Sequence, residues 1–149
     1  MTGLPPFAQN FILHWGEMGT KWGINRTVAQ IHALLFISED PLNAEGICNR
    51  LGVARSNVSN SLKELQNWGI VNVVHLPGDR RDHFESVKDV YELFRIIATE
   101  RKRREIDPTL RNLRKSSDEA GETNDPADAY ARGQLEDLLG FFEMISDFY

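Results

Sequence analysis

Leu51-Gly52-Val53-Ala54-Arg55-Ser56-Asn57-Val58-Ser59-Asn60-Ser61-Leu62-Lys63-Glu64-Leu65 carries two helices and the sharp corner between them. Gly52 stops the first helix, and the second begins near Arg55 and runs to Trp68. Its apolar positions Val58, Leu62, Leu65 and Trp68 recur at helical spacing. Ser56, Asn57, Ser59, Asn60 and Lys63 lie away from that stripe. Upstream, Asn43 is placed to cap a short helix, Ala44 to Leu51, whose inner face is Ile47, Cys48 and Leu51. Packing through Ile47, Leu51, Val53, Val58 and Leu62 sets the second helix at a steep angle to the first.

After Gly69 the period changes from helical to extended. Ile70-Val71-Asn72-Val73-Val74-His75-Leu76 is rich in β-branched residues, Pro77-Gly78-Asp79 signals a turn, and Phe84 to Val87 returns as a second strand. The hairpin carries Arg80 and Arg81 at its tip. Helix, tight connection, helix and basic hairpin is the winged helix-turn-helix arrangement. A polar helix face of this width suits a DNA major groove. Asn57 and Asn60 offer paired donors and acceptors for adenine edges, and Ser56 and Ser59 reach bases or phosphates. Arg55 and Lys63 are placed to neutralise phosphate. A guanidinium on the hairpin enters a minor groove or clamps backbone, with flanking aspartates holding it extended; the alternative is a solvated charged turn.

Further out, Phe7, Phe11, Trp15, Met18 and Trp22 form an apolar stripe on an N-terminal helix, which Gly16 and Gly19 weaken and Gly23 ends. A second helix spans about Thr27 to Ser38, with Asn25 as its cap. On the other side, a long helix is expected from about Lys88 to Glu105 and a short one from Thr109 to Lys115. The segment 116–126 reads as a mobile acidic connector. A last helix carries Leu135, Leu138, Phe142, Ile145 and Tyr149. The expected organisation is therefore an N-terminal packing helix (1–24), a winged DNA-binding domain (25–88) and a C-terminal helical dimerisation region (89–149). The fold class is mainly α with a small β-hairpin wing.

The chain has 149 residues, 41% of them hydrophobic, and a net charge of -5. Residues 116–149 hold nine acids and one base, so the remaining chain is net basic, and local charge is what phosphates meet. No apolar run approaches the roughly 20 residues of a membrane span. The N-terminus lacks a signal-peptide pattern, and the single cysteine, Cys48, excludes an internal disulfide framework and fits a reducing compartment. A cytoplasmic protein is expected. No nucleophile elbow, phosphate loop, paired carboxylates or metal-ligand spacing of His14, His32, His75 and His83 is visible, so neither an enzyme nor a bound metal or cofactor is expected.

The helix-turn-helix segment resembles that of the MarR superfamily of regulators. Trp68-Gly69-Ile70-Val71, Gly78-Asp79-Arg80-Arg81-Asp82-His83-Phe84, His14-Trp15-Gly16-Glu17-Met18-Gly19 and Arg101-Lys102-Arg103-Arg104-Glu105-Ile106-Asp107-Pro108 are similar to its GbsR-type branch. The resemblance covers residues 7 to about 110. It implies a homodimeric, repressor-like regulator of double-stranded DNA that binds an inverted repeat, and some members are linked to osmoprotectant genes and choline sensing. This chain departs from the pattern at Ala54, where family members carry a capping Ser or Thr. The threonine-containing turn that follows the wing in typical MarR proteins is also missing.

Both terminal stripes exceed what a small winged domain needs, so a symmetric homodimer is expected to bury them. Phe11, Trp15 and Trp22 form a candidate effector pocket that could box a quaternary ammonium, with His14 and His32 able to line it; core or dimer packing is the alternative. Arg101 to Arg104 read as a solvated face, a phosphate contact or partners of the acidic tail. The competing function is a winged-helix protein–protein adaptor without specific DNA binding, for which apolar residues would be expected on the recognition face.

Overall fold

The computed structural model describes all of residues 1–149, in two compact units, Met1–Ile96 and Ile97–Tyr149. In the first unit, α1 (Pro6–Lys21), α2 (Arg26–Ile37), α3 (Ala44–Leu51) and α4 (Arg55–Trp68) precede the hairpin of β2 (Val71–His75) and β3 (Asp82–Ser86). A two-residue strand, β1 (Leu42–Asn43), pairs with β3, so the wing is a three-stranded antiparallel sheet in the order β1-β3-β2. Leu42 lies opposite Phe84, and Val73 faces Phe84 from the other side. β1 was too short to register as a strand in the sequence.

Local signals set the helix ends. The Asn25 side chain accepts from the amides of Thr27 and Val28, and that of Asn43 accepts from Gly46 at 2.8 Å, each satisfying an otherwise unpaired first-turn amide. Gly52 (φ 69°) and Gly69 (φ 81°) close α3 and α4 in the left-handed conformation. The core is Ile12, Ile31, Leu34, Leu35, Ile47 and Val58, all fully buried, with Leu62, Leu65, Val71 and Phe84 around them.

The N-terminal helix packs within its own unit through small residues beside the aromatic stripe. Ala8, Ile12, Gly16 and Gly19 point inward, while Phe7 is 74% exposed and Trp22 lies beyond the helix end. The reason is close approach: a Cβ on Gly16 would sit 2.8 Å from Gln30 Cγ, and one on Gly19 2.7 Å from Ala29 Cβ. These glycines form the notch in which α2 rests, and the helix they weaken is held by that contact. The first helix thus belongs to the same unit as the helix-turn-helix.

α5 (Val90–Arg101) runs into a wide turn of π-helix, Lys102–Ile106, and then α6 (Asp107–Gly121). Pro108 explains the widening, because it has no N–H to donate to the carbonyl four residues back, and the Asp107 amide bonds Lys102 instead. α6 overruns the expected connector. Residues 116–121 continue the helix with Ser116, Ser117 and Ala120 half-buried, and only 122–125 separate it from a short 3-10 turn, Pro126–Asp128. A polar sequence does not prevent a helix once one of its faces has something to pack on. α7 (Ala129–Phe148) packs with α6, to which Leu110 and Leu113 contribute buried side chains.

Candidate nucleic-acid interface

α4 is amphipathic in a way that sorts the expected site residues. Val58, Ser61, Leu62 and Leu65 are buried, and Arg55, Ser56, Asn57, Ser59, Asn60 and Lys63 are all exposed. None of the large exposed apolar side chains lies on this helix. The N-terminus of α4 begins at Ala54, whose side chain makes no capping hydrogen bond.

The exposed six divide into two groups. Arg55, Ser59 and Lys63, with Gln66 one turn further, line a cleft of about 380 Å³ that Asn43, Ala44, Glu45, Val73, Arg81, Asp82 and Phe84 complete. Ser56, Asn57 and Asn60 do not line it; they fall on the adjoining arc of the helix, as the 100° step per residue requires. Gln66 was missed in the sequence, although its spacing from Ser59 and Lys63 puts it on the same stripe.

The two wing arginines differ. Arg80 is exposed and makes no ion pair. Arg81 is held by Asp79: its Nε and Nη2 donate to the two carboxylate oxygens at 3.1 and 2.9 Å, and its amide donates to the same group. Its Nη1 is 3.8 Å from Glu45 at the start of α3. The Arg81 side-chain hydrogen bonds hold the Asp79 carboxyl down to about 2. The expected aspartate support of the wing is thus present, but at Arg81 it closes the guanidinium onto the hairpin.

Two histidines join the wing, a feature the sequence reading did not use. His75 Nε2 is 3.1 Å from Asp82, its cross-strand partner, on the surface. His83 is buried beneath the turn, with Nδ1 3.0 Å from the Arg81 carbonyl and Nε2 3.6 Å from Asp79.

The chain is similar to known proteins in part of its sequence and in its fold. Residues 22–82 match the family model described as MarR family. A crystal structure of a transcriptional regulator superposes with a TM-score of 0.60 at 19% identity, covering 95% of this chain and 94% of that one. The matched residues lie within the winged helix-turn-helix, whose last strand runs on to Ser86. Two further structures are the transcriptional regulator Tm0710 from Thermotoga maritima (20% identity, 91% of this chain and 89% of that one, TM-score 0.45) and a mutant S. aureus MepR bound to an oligodeoxyribonucleotide (14%, 90% and 91%, TM-score 0.46). The comparison with curated proteins gives no match. The family match, on a surface of this character, supports a DNA-binding transcriptional regulator.

Beside the core of the first unit, aromatic residues are arranged in a row. Phe11 and Trp15 have centroids 5.7 Å apart, Trp15 and His32 6.5 Å, and His32 and Phe36 6.2 Å. Phe11 and Trp15 therefore stay together, and Trp22 follows at the C-terminal end of α1. His32 is buried with Nε2 unpartnered, and burial, aided by the Lys88 charge, lowers it to about 4. Lys88 itself donates to the carbonyls of Leu35, Phe36 and Ser38, closing the end of α2. Desolvation by burial lowers the Lys88 ammonium as well. Neither role was visible in sequence.

Among the remaining candidates, Cys48 is half-buried. Within the basic run, Arg103 and Arg104 pair with Glu100 at 2.8 and 3.1 Å, and Arg101 lies 4.0 Å from Glu105. The acidic tail is met by Arg114, 3.8 Å from Glu143. No group of three or more His, Cys, Asp or Glu side chains is placed to hold a metal ion, and no helix is long and apolar enough to cross a membrane.

Proposed function

We propose that the protein is a sequence-specific regulator of transcription of the GbsR type. In this reading it acts as a homodimeric repressor on an inverted repeat, in the cytoplasm, and responds to a small effector. The observation that carries the reading is the exposed face of α4, polar throughout and flanked by the Arg55–Lys63 cleft and the unpaired Arg80. Ser56, Asn57 and Asn60 read base edges; Arg55, Ser59, Lys63, Arg80 and Arg81 meet the backbone or minor groove.

The dimer is supported by uncovered apolar surface within each unit. Phe7 and Leu13 are exposed on α1, and Leu138, Phe141, Met144 and Phe148 on α7, a 20-residue helix with no buried residue. Residues 1–24 and 89–149 then serve dimerisation and 25–88 DNA binding. The effector site is supported by Phe11 and Trp15, whose adjacent rings suit a cation, with Trp22 at the C-terminal end of the same helix.

The test is a titration of the full chain against duplex DNA from upstream of its own gene, with a scrambled duplex as control, at several salt concentrations. Salt-sensitive preference for the upstream duplex, with two protomers bound per site, supports the proposal. Equal or absent binding to both favours a winged-helix adaptor.

A further inference from the structure

We infer that the wing is a proton-gated DNA contact, in which His83 and His75 control how much positive charge Arg81 and the hairpin present to phosphate. The inference rests on the DNA-binding reading above and adds a regulatory property to it.

The geometry around Asp79 is the starting point. Its carboxylate is the partner that closes Arg81 onto the hairpin, and the same carboxylate oxygen that accepts from Arg81 Nη2 faces His83 Nε2 at 3.6 Å. The other ring nitrogen, Nδ1, lies 3.0 Å from the Arg81 carbonyl, which can only accept, so Nδ1 carries the proton of the neutral ring. A second proton can go only to Nε2. It then places a charged N–H opposite Asp79, in competition with the guanidinium for one carboxylate. On the opposite side of the hairpin, His75 and Asp82 repeat the arrangement across the strand pair.

Charge decides the consequence. With both imidazoles neutral, Asp79 and Asp82 offset Arg80 and Arg81, so the segment from His75 to His83 is neutral; with both protonated it carries two positive charges. Imidazole is the side chain whose ordinary titration falls closest to physiological pH. The other charged groups facing this cluster are Glu45 at the start of α3, near Arg81, and Arg55 and Lys63 on α4, which share the cleft with Arg81 and Asp82. The single Glu45 cannot offset two new cations. As pH falls, Arg81 is released from sole possession of Asp79 and the wing gains attraction for the backbone.

The experiment measures affinity of the full chain for a mixed-sequence duplex at pH 6 and pH 8, each over a series of salt concentrations. Wild type is expected to bind roughly ten-fold tighter at pH 6, with a salt slope steeper by about one to two units, since each new phosphate contact adds about 0.9. His75→Gln, which is on the surface, should lose part of that difference. His83→Asn keeps a donor for the Arg81 carbonyl and should lose a further part. Asp79→Asn, at a half-buried position, should bind at pH 8 nearly as wild type does at pH 6. Equal pH dependence in wild type and in the His75→Gln and Asp79→Asn proteins overturns the inference while leaving DNA binding intact. No binding at any pH overturns both this inference and the DNA-binding reading.

Discussion

Gly19 and Ala29 meet so closely across the α1–α2 contact that a methyl group on Gly19 would stand 2.7 Å from the Ala29 Cβ. Neither atom belongs to a flexible chain end, so the contact can be relieved only by moving the helices apart. Gly19→Ala should therefore lower stability by about 1–3 kcal/mol, despite the better helix propensity of alanine. Gly140→Ala, in open space on α7, should gain about 0.5–1 kcal/mol. Denaturant unfolding of the two variants checks the pair of signs; a stabilised Gly19→Ala protein would mean that the helices do not touch there.

Lys88 links the end of the wing to the end of α2 by hydrogen bonds to the Leu35, Phe36 and Ser38 carbonyls. Lys88→Met keeps the apolar stem and removes the donors, leaving helix-end carbonyls without this partner. A loss of about 1–3 kcal/mol is expected, read as a lower thermal midpoint. An unchanged midpoint would indicate that water replaces the ammonium freely.

His32 makes stability depend on pH. Its folded value, about 4, is below the ordinary 6.5, so the unfolded chain binds the extra proton first. The resulting stability is fully present above about pH 6.5 and is lost as pH falls toward 4, by roughly 3 kcal/mol in all. Unfolding free energies at pH 7 and pH 4.5 should show this loss in wild type. In His32→Leu the same interval should be flatter by about that amount.

Ala54 precedes the first turn of α4 in an extended conformation (φ −65°, ψ 147°) with no side-chain cap. Ala54→Ser supplies an oxygen to the unpaired amides of that turn and should stabilise the protein by about 1 kcal/mol. Calorimetry of the variant tests this directly; a destabilised protein would show that the backbone at this corner cannot accept the cap.

Asn57 and Arg55 occupy different arcs of α4, and their substitution should read differently. Asn57→Ala should change which operator variants are preferred, by about 1–3 kcal/mol at one base pair. Arg55→Ala should weaken all duplexes similarly and flatten the salt slope by about one unit. Competition binding over a set of single-base operator variants separates the two; a uniform loss in Asn57→Ala would remove it from base reading.

What could be read in the chain was whatever depends on near neighbours. The α4 stripe of Val58, Leu62 and Leu65, the caps Asn25 and Asn43, and the stops at Gly52 and Gly69 all act within a turn or two of chain. Their agreement placed two helices, a corner and a hairpin in order before any contact was known. The polar positions of α4 followed from the same periodicity, since residues off the apolar stripe must face outward.

Composition misled where a distant partner intervened. The aromatic stripe of α1 gave no sign of its neighbour: the tight approach of α2 at Gly16 and Gly19 selects small residues for the face turned into the unit and leaves Phe7 outward. Acidic residues made 116–121 look like a connector, and its half-buried Ser116, Ser117 and Ala120 instead continue α6. The closure of Arg81 by Asp79 and Glu45, the burial of His83 under the turn, and the reach of Lys88 across more than fifty residues to Leu35 lie beyond sequence periodicity. Periodicity reports which side of an element is apolar; only the assembled chain determines which side chains, remote in sequence, share the same few ångströms and so set each other's charge and exposure.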